Sequence, residues 1–146
     1  MCSNQHRAIL SSWLGNGSQP NSEDYILGTH AHIGKKNSDG TITAIYLHYD
    51  GYESGGAGDT LRAHYTEESK VDQLIALGSL SVLGGEIGEK QDFNAYRSSM
   101  NTCLAYHRDR GEDFHQMAYY AERDFFDSEQ YAYLFVDGTW ERGVRK

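Results

Sequence analysis

The sequence has 146 residues and a formal net charge of −8, and this acidic balance argues against several classes of protein. Nucleic-acid backbones and anionic membranes recruit clusters of Lys and Arg, so we expect direct binding to neither. The apolar runs are only a few residues long, too short to cross a bilayer. With two cysteines, no CxxC pair and no secretion signal, the chain is predicted to work in the reducing cytoplasm.

A chain of this length is the size of one ordinary domain. Residues 1–24 are predicted to form a flexible or peripheral segment, in which the stretch from Arg7 to Leu14 is compatible with a short docking helix or a disordered lead-in. Residues 25–146 are predicted to form a single α+β domain. We expect a mostly antiparallel sheet of about four to five strands, with two or three helices on one face.

The strongest local signal is a β-hairpin. Two alternating runs, 28–36 and 41–49, flank the turn sequence Asn37-Ser38-Asp39-Gly40. A two-residue turn would pair His32 with Leu47, whereas a three-residue loop with a left-handed Gly40 pairs Ile33 with Ile45. We favour the second register, because it collects apolar side chains on one face (Ala31, Ile33, Ile45, Leu47 and Tyr49). The other face then carries His30, His32, Tyr46, His48 and Asp50.

Two helices and further strands are predicted after the hairpin. A short helix is expected over about 59–65, and a second begins with Thr66 as its N-cap and ends at Gly78. Val71, Leu74 and Ile75 have the spacing of one buried helix face. Residues 102–108 and 130–136 alternate like strands, and Asp137-Gly138 predicts a final hairpin. Between them, the stretch from Phe114 to Phe126 is compatible with a helix or a loop.

The favoured register places three histidines on the polar face of the hairpin. His30 and His32 are two residues apart, and His48 lies opposite His30. Imidazole nitrogens suit zinc and similar ions, and Asp50 could add a carboxylate, so the pattern indicates a candidate metal site. Alternation along a half-exposed sheet gives the same pattern without a metal. We favour that interpretation, because no signature such as HExxH is present.

A dense charged cluster lies at the end of the predicted third strand. It consists of His107, Arg108, Asp109, Arg110 and Glu112. Two arginines can bind a phosphate or a carboxylate. Asp109 and Glu112 could orient the arginines, or act with His107 as acid and base. An exposed charged turn with internal salt bridges explains the same residues, and both interpretations stay open.

The segment 50–58 is a glycine-rich loop that also carries Asp50 and Tyr52. Glycines let backbone N–H groups approach an anion, but the sequence contains no phosphate-binding motif of the GxGxxG or GxxxxGK[ST] type. We therefore favour a connector that caps the following helix. Cys103 is expected to be a buried packing residue rather than a nucleophile.

Several of these segments resemble a family of small proteins from phages and prophages. The resemblance rests on the pattern DGT-x-x-x-IY-x-H-x-DGY at 39–52 and on RDRGE at 108–112, and it runs from about Gly28 to Trp140. The family has no established activity, so the resemblance transfers no catalytic residue. It implies a setting in the host-cell cytoplasm, where small phage proteins often act on host machinery, including immune systems.

These features predict a binding protein rather than an enzyme. Our leading hypothesis is a phage accessory factor that inhibits a host defence component, by covering a protein surface or by sequestering a small nucleotide signal. Arg108 and Arg110 would contact the anion. The same site would include the orienting groups Asp50, Tyr52 and Glu112, together with His107 and Asp109.

Two alternatives belong to other functional classes. The first is a metal-assisted hydrolase, such as a phosphodiesterase, with His30, His32 and His48 as ligands and with His107 or Glu112 as general acid or base. It requires zinc or another divalent metal, whereas the leading hypothesis requires no cofactor. The second is an acidic nucleic-acid mimic that occupies a basic protein groove. Each hypothesis is compatible with a homo-oligomer.

Overall fold

The computed structural model describes residues 29–97, 100–112 and 118–144, which form one mixed β-sheet and four short α-helices. The strands are β1 (Ala31–Lys36), β2 (Ile42–Leu47), β3 (Leu80–Val82), β4 (Leu104–Ala105), β5 (Ala118–Tyr120), β6 (Tyr131–Val136) and β7 (Thr139–Val144). The helices are α1 (Ala57–His64), α2 (Glu68–Ala76), α3 (Tyr106–Arg110) and α4 (Glu122–Phe125). The predicted peripheral segment, 1–24, lies outside the described ranges.

The α+β class is confirmed, but the sheet differs from the expected one. It has seven strands in the order β4-β3-β2-β1-β6-β7, with β5 paired to β2 beside this path. The pairs β1–β6 and β2–β3 are parallel, and the remaining pairs are antiparallel. The prediction of four to five strands was too low, because β3 and β5 have only three residues each, too few to give an alternating pattern. The parallel pairs were missed because pairing between distant segments such as Ala31 and Tyr131 leaves no local pattern in the sequence.

The predicted hairpin register is confirmed. Ile33 pairs with Ile45, and Gly40 has φ +90°, the left-handed conformation expected of a three-residue loop. Asn37 closes the loop by donating its backbone N–H to the carbonyl of Thr41 at 2.7 Å. Since the side chains of a strand alternate between faces, this register decides which residues of β1 and β2 share a surface.

The sheet has an apolar core on each face. On one face, helices α1 and α2 cover the sheet through Leu61, Val71 and Leu74, which are all fully buried. On the other face, Phe125 of α4 packs on a smaller cluster (Ile42, Ala44, Ala132 and Leu134). Helices α1 and α2 lie on one face, as expected of two helices, but α4 lies on the other, because β2 and β6 are apolar on both sides and each side needs a cover.

The predicted helices are present with shifted starts. Helix α1 begins at Ala57 rather than near Asp59. Helix α2 has Glu67, not Thr66, in the extended N-cap conformation, and no side chain caps it. Gly78 has φ +77° and ends this helix as predicted. None of the helices in the described ranges has the length and apolar character needed to span a bilayer.

The predicted strand 102–108 was mostly wrong. Thr102 forms only an isolated bridge with Glu86, β4 is two residues long, and the chain then turns into α3, which ends at Gly111 with φ +72°. The carboxylate of Asp109 accepts the backbone N–H of Ala105 at 2.8 Å and so favours a helical turn at this point. The C-terminal hairpin is confirmed, with Asp137 and Gly138 both at positive φ in its turn.

Candidate functional site

Asp109 is the anchor of the charged cluster and has no exposed side-chain surface. Its carboxylate accepts the backbone N–H groups of Gln91 at 3.0 Å and Ala105 at 2.8 Å. Two further hydrogen bonds come from the Nε and Nη2 atoms of Arg108, at 2.9 and 3.1 Å. Asp109 therefore fastens α3 to β4 and to the segment that precedes the 3-10 turn at 93–95.

Arg108 directs its remaining donors at backbone carbonyls. Nη1 donates to Ile87 at 2.9 Å and to Gly88 at 3.1 Å, and Nη2 donates to Cys103 at 2.8 Å. The side chain is 16% exposed, so this guanidinium lies mostly within the protein. Its geometry is that of a structural arginine, and of the two predicted anion contacts Arg110 is the accessible one.

Arg110 lies over a pair of aromatic rings at the surface. Its guanidinium carbon is 4.5 Å from the ring centroid of Phe93 and 4.9 Å from that of Tyr106. Nε and Nη2 both donate to the carboxylate of Glu112. The Arg110 side chain remains 45% exposed. We refer to Phe93, Tyr106, Arg110 and Glu112 as the Arg110 site.

His107 supports the end of α3 rather than the Arg110 site. Its Nδ1 lies 2.7 Å from the backbone carbonyl oxygen of Glu112, and because a carbonyl only accepts, Nδ1 carries the proton. Gly111 donates its N–H to the carbonyl of His107 at 3.1 Å. Together these bonds set the position of the Glu112 backbone.

Asp50 and Tyr52 form a separate pair. The Tyr52 hydroxyl donates to the Asp50 carboxylate at 3.1 Å, and this bond raises the pKa of Tyr52. Within the described ranges, no hydrogen bond or ion pair joins either residue to Arg108, Arg110 or Glu112. The glycine-rich loop caps α1 through its own backbone, since Ala57 donates to the carbonyl of Asp50 at 2.9 Å. This geometry agrees with the connector interpretation.

The predicted polar face of the hairpin is present as a contiguous group of rings. The His30 and His48 rings are stacked with centroids 4.8 Å apart, and Tyr46 lies 5.5 Å from His30. His32 contacts Tyr46 at 6.2 Å and Tyr120 of β5 at 5.6 Å. We refer to these five residues as the His–Tyr cluster.

Burial favours the neutral form of two of these histidines. It lowers the pKa of His30, although a hydrogen bond to the carbonyl of His48 acts in the opposite direction. Burial also lowers the pKa of His32 to about 4. His30 Nδ1 lies 2.7 Å from the His48 carbonyl and therefore carries its proton, so Nε2 holds the lone pair.

A neutral imidazole with a lone pair on Nε2 is chemically able to bind a metal, but the arrangement of the three histidines does not provide a ligand set. Over residues 29–97, 100–112 and 118–144, no group of three or more His, Cys, Asp or Glu side chains is placed to hold an ion. His48 Nδ1 instead lies 2.9 Å from the Tyr46 hydroxyl.

Tyr49 borders the His–Tyr cluster, because its ring meets His48 edge-on at 4.5 Å. Burial raises the pKa of Tyr106, and the charge of Tyr49 adds to this effect. The expectation that Tyr49 faces the core was wrong, because β2 ends at Leu47 and Tyr49 is 38% exposed. Phe93 and Tyr106 were also missed, since the long-range contact that joins them has no local signal.

No family model, curated protein or solved structure matches this chain.

Proposed function

We propose that this chain is a phage accessory binding protein that inhibits a host defence component by covering part of its protein surface. The observation that carries the proposal is the exposed guanidinium of Arg110 held over Phe93 and Tyr106, at 4.5 and 4.9 Å from their centroids. The phage setting rests on the sequence resemblance, and the contact surface rests on this geometry.

The composition of the surface suits protein recognition. Arginine and tyrosine are enriched among the few residues that carry most of the binding energy of interfaces. Arg110 is 45% exposed, and Tyr106, over which it lies, is partly exposed. Because two rings limit the motion of the guanidinium, less side-chain entropy is lost when a partner binds it.

Sequestration of a small nucleotide is the second candidate, and the same geometry favours it in a different way. A guanidinium matches a phosphate, and aromatic faces stack on bases. The net charge of −8 weakens the attraction for a polyanionic nucleotide. We therefore place the protein-surface mode first.

The test is plaque formation by a phage that lacks this protein, on hosts that each carry one defence system. We expect expression of the protein to restore plaques on at least one of these hosts. Arg110→Ala is expected to reduce the restoration by about tenfold or more, as for loss of an interface hot spot. The matched control is Arg123→Ala, which removes an exposed arginine of α4 and should leave restoration unchanged.

Purified components then separate the two modes of inhibition. Stoichiometric binding to the defence protein, weakened by Arg110→Ala, supports surface covering. Binding to the nucleotide signal of that system, with none to the protein, supports sequestration. If no defence system is inhibited, the proposed function is wrong, and equal restoration by Arg110→Ala and the wild type would exclude the Arg110 site as the contact.

A further inference from the structure

Glu112 occupies the hydrogen-bonding edge of the Arg110 guanidinium. Its carboxylate accepts from both Nε and Nη2, which is the edge that arginine commonly presents to carboxylates and phosphates in ligands. The Arg110 side chain is 45% exposed and the Glu112 side chain is 25% exposed, so the ion pair lies at the surface. A group arriving from solvent can reach the same edge.

The guanidinium has a support that does not depend on Glu112. The rings of Phe93 and Tyr106 are adjacent, with centroids 5.5 Å apart, and Arg110 lies over both. Stacking of this kind orients the plane of a guanidinium. If the carboxylate moves away, the donors of Arg110 stay in place.

The backbone of Glu112 is held independently of its carboxylate. Its N–H donates to the carbonyl of Tyr106 at 3.3 Å, and its own carbonyl accepts from His107 Nδ1 at 2.7 Å. Release of the carboxylate therefore needs only a rotation of the Glu112 side chain. An exposed ion pair adds little stability, so an oxyanion with better geometry can replace it.

We propose that the Arg110 site binds an oxyanion of the ligand, a carboxylate or a phosphate group. In the absence of ligand, the carboxylate of Glu112 accepts the hydrogen bonds of Arg110 that the oxyanion would accept. This inference deepens the proposed function, because it rests on the same site and names the chemistry of the group recognised there. A carboxylate corresponds to an acidic side chain of a protein partner, and a phosphate corresponds to a nucleotide.

The experiment is a titration of the isolated protein with sodium phosphate and with sodium acetate, at constant ionic strength set by chloride. The readout is the chemical shift of the Arg110 Nε–H and of the backbone amides of residues 106–112. Glu112→Gln removes the competing charge and keeps a similar shape. We expect it to tighten binding of at least one anion by about two- to fivefold, the range expected from removal of an exposed ion pair.

Two further variants serve as comparisons. Arg110→Lys keeps the charge but loses the planar donor edge and the stacking, so we expect at least about threefold weaker binding of the same anion. Glu122→Gln is the matched control, because Glu122 pairs with Lys36 at 3.0 Å on an exposed surface. It should leave the shifts of residues 106–112 unchanged.

Tighter binding of phosphate in Glu112→Gln supports a nucleotide ligand, and tighter binding of acetate supports an acidic protein partner. If neither anion shifts the Arg110 resonance, or if Glu112→Gln binds no more tightly than the wild type, the inference is wrong. The titration needs no host component. Anion binding without defence inhibition would therefore overturn the proposed function alone, and defence inhibition without anion binding would overturn this inference alone.

Discussion

His32 shows how the environment of one residue changes its chemistry. The Ser128 hydroxyl has one hydrogen, which it donates to the carbonyl of Phe125 at 2.5 Å. Its oxygen must then accept from His32 Nδ1, at 2.7 Å. Burial lowers the pKa of His32 to about 4. The neutral imidazole is thus a hydrogen-bond donor that links β1 to the segment after α4.

This environment predicts a dependence of stability on pH. Between about pH 6.5 and pH 4 the unfolded chain binds a proton at His32 that the folded chain does not. The contribution of His32 to the free energy of unfolding should therefore be fully present above about pH 6.5. It should decrease as the pH is lowered below this value, by up to about 1.4 kcal/mol per pH unit. Urea unfolding of the wild type and of His32→Gln, from pH 4.5 to 7.5, measures the difference. Parallel curves for the two proteins would contradict the prediction.

At the scale of elements, α3 has only five residues, Tyr106–Arg110, and cannot be stable by itself. It is held in place by the Arg108–Asp109 pair, because Asp109 accepts the N–H of Ala105 at 2.8 Å and Arg108 donates to Cys103 at 2.8 Å. Arg110, at the end of this helix, therefore depends on a buried ion pair for its position over Phe93.

Asp109→Asn tests the importance of that pair. The change leaves the Arg108 guanidinium, 16% exposed, without its charged partner. We expect a loss of about 3 kcal/mol in the free energy of unfolding, measured with urea. Asp127→Asn, at an exposed carboxylate after α4, should change it by less than about 0.5 kcal/mol. Equal effects of the two substitutions on the free energy of unfolding would show that the buried pair stabilises the fold no more than an exposed carboxylate does.

At the scale of the whole molecule, strands from both ends of the described residues belong to the same sheet. Strand β1 lies between β2 and β6, and Tyr133 of β6 donates its hydroxyl hydrogen to the carbonyl of Gly51 at 2.7 Å. Trp140 of β7 donates its indole N–H to the carbonyl of Tyr65 at 2.8 Å. The C-terminal hairpin therefore shares its core with the N-terminal half of the domain.

This arrangement predicts a single cooperative unfolding transition, as expected for one domain. Trp13→Phe leaves Trp140 as the only tryptophan, so its fluorescence reports on β7. The midpoint of urea unfolding from this fluorescence should coincide with the midpoint from far-ultraviolet circular dichroism. A lower midpoint for Trp140 would mean that the C-terminal hairpin unfolds separately, and the prediction of a single domain over 25–146 would be wrong.

The sequence by itself determined the local features of this protein. Alternation together with a glycine able to adopt φ +90° sets the register of Ile33 with Ile45, and Gly78 ends α2 at φ +77°. These features depend on residues within a few positions of each other, where steric rules for the backbone and the period of the side chains are sufficient. The meeting of His30 and His48 follows from the same register.

Only the tertiary structure decided which predicted site residues come together. The parallel pairing of β1 with β6 joins segments about a hundred residues apart, and the stacking of Arg110 on Phe93 spans a loop and a strand. Arg108 and Arg110 are two residues apart and chemically identical, yet one lies mostly within the protein and the other at the surface. The physical reason is that burial and partner choice depend on the packing of distant elements, which is not encoded in any short pattern.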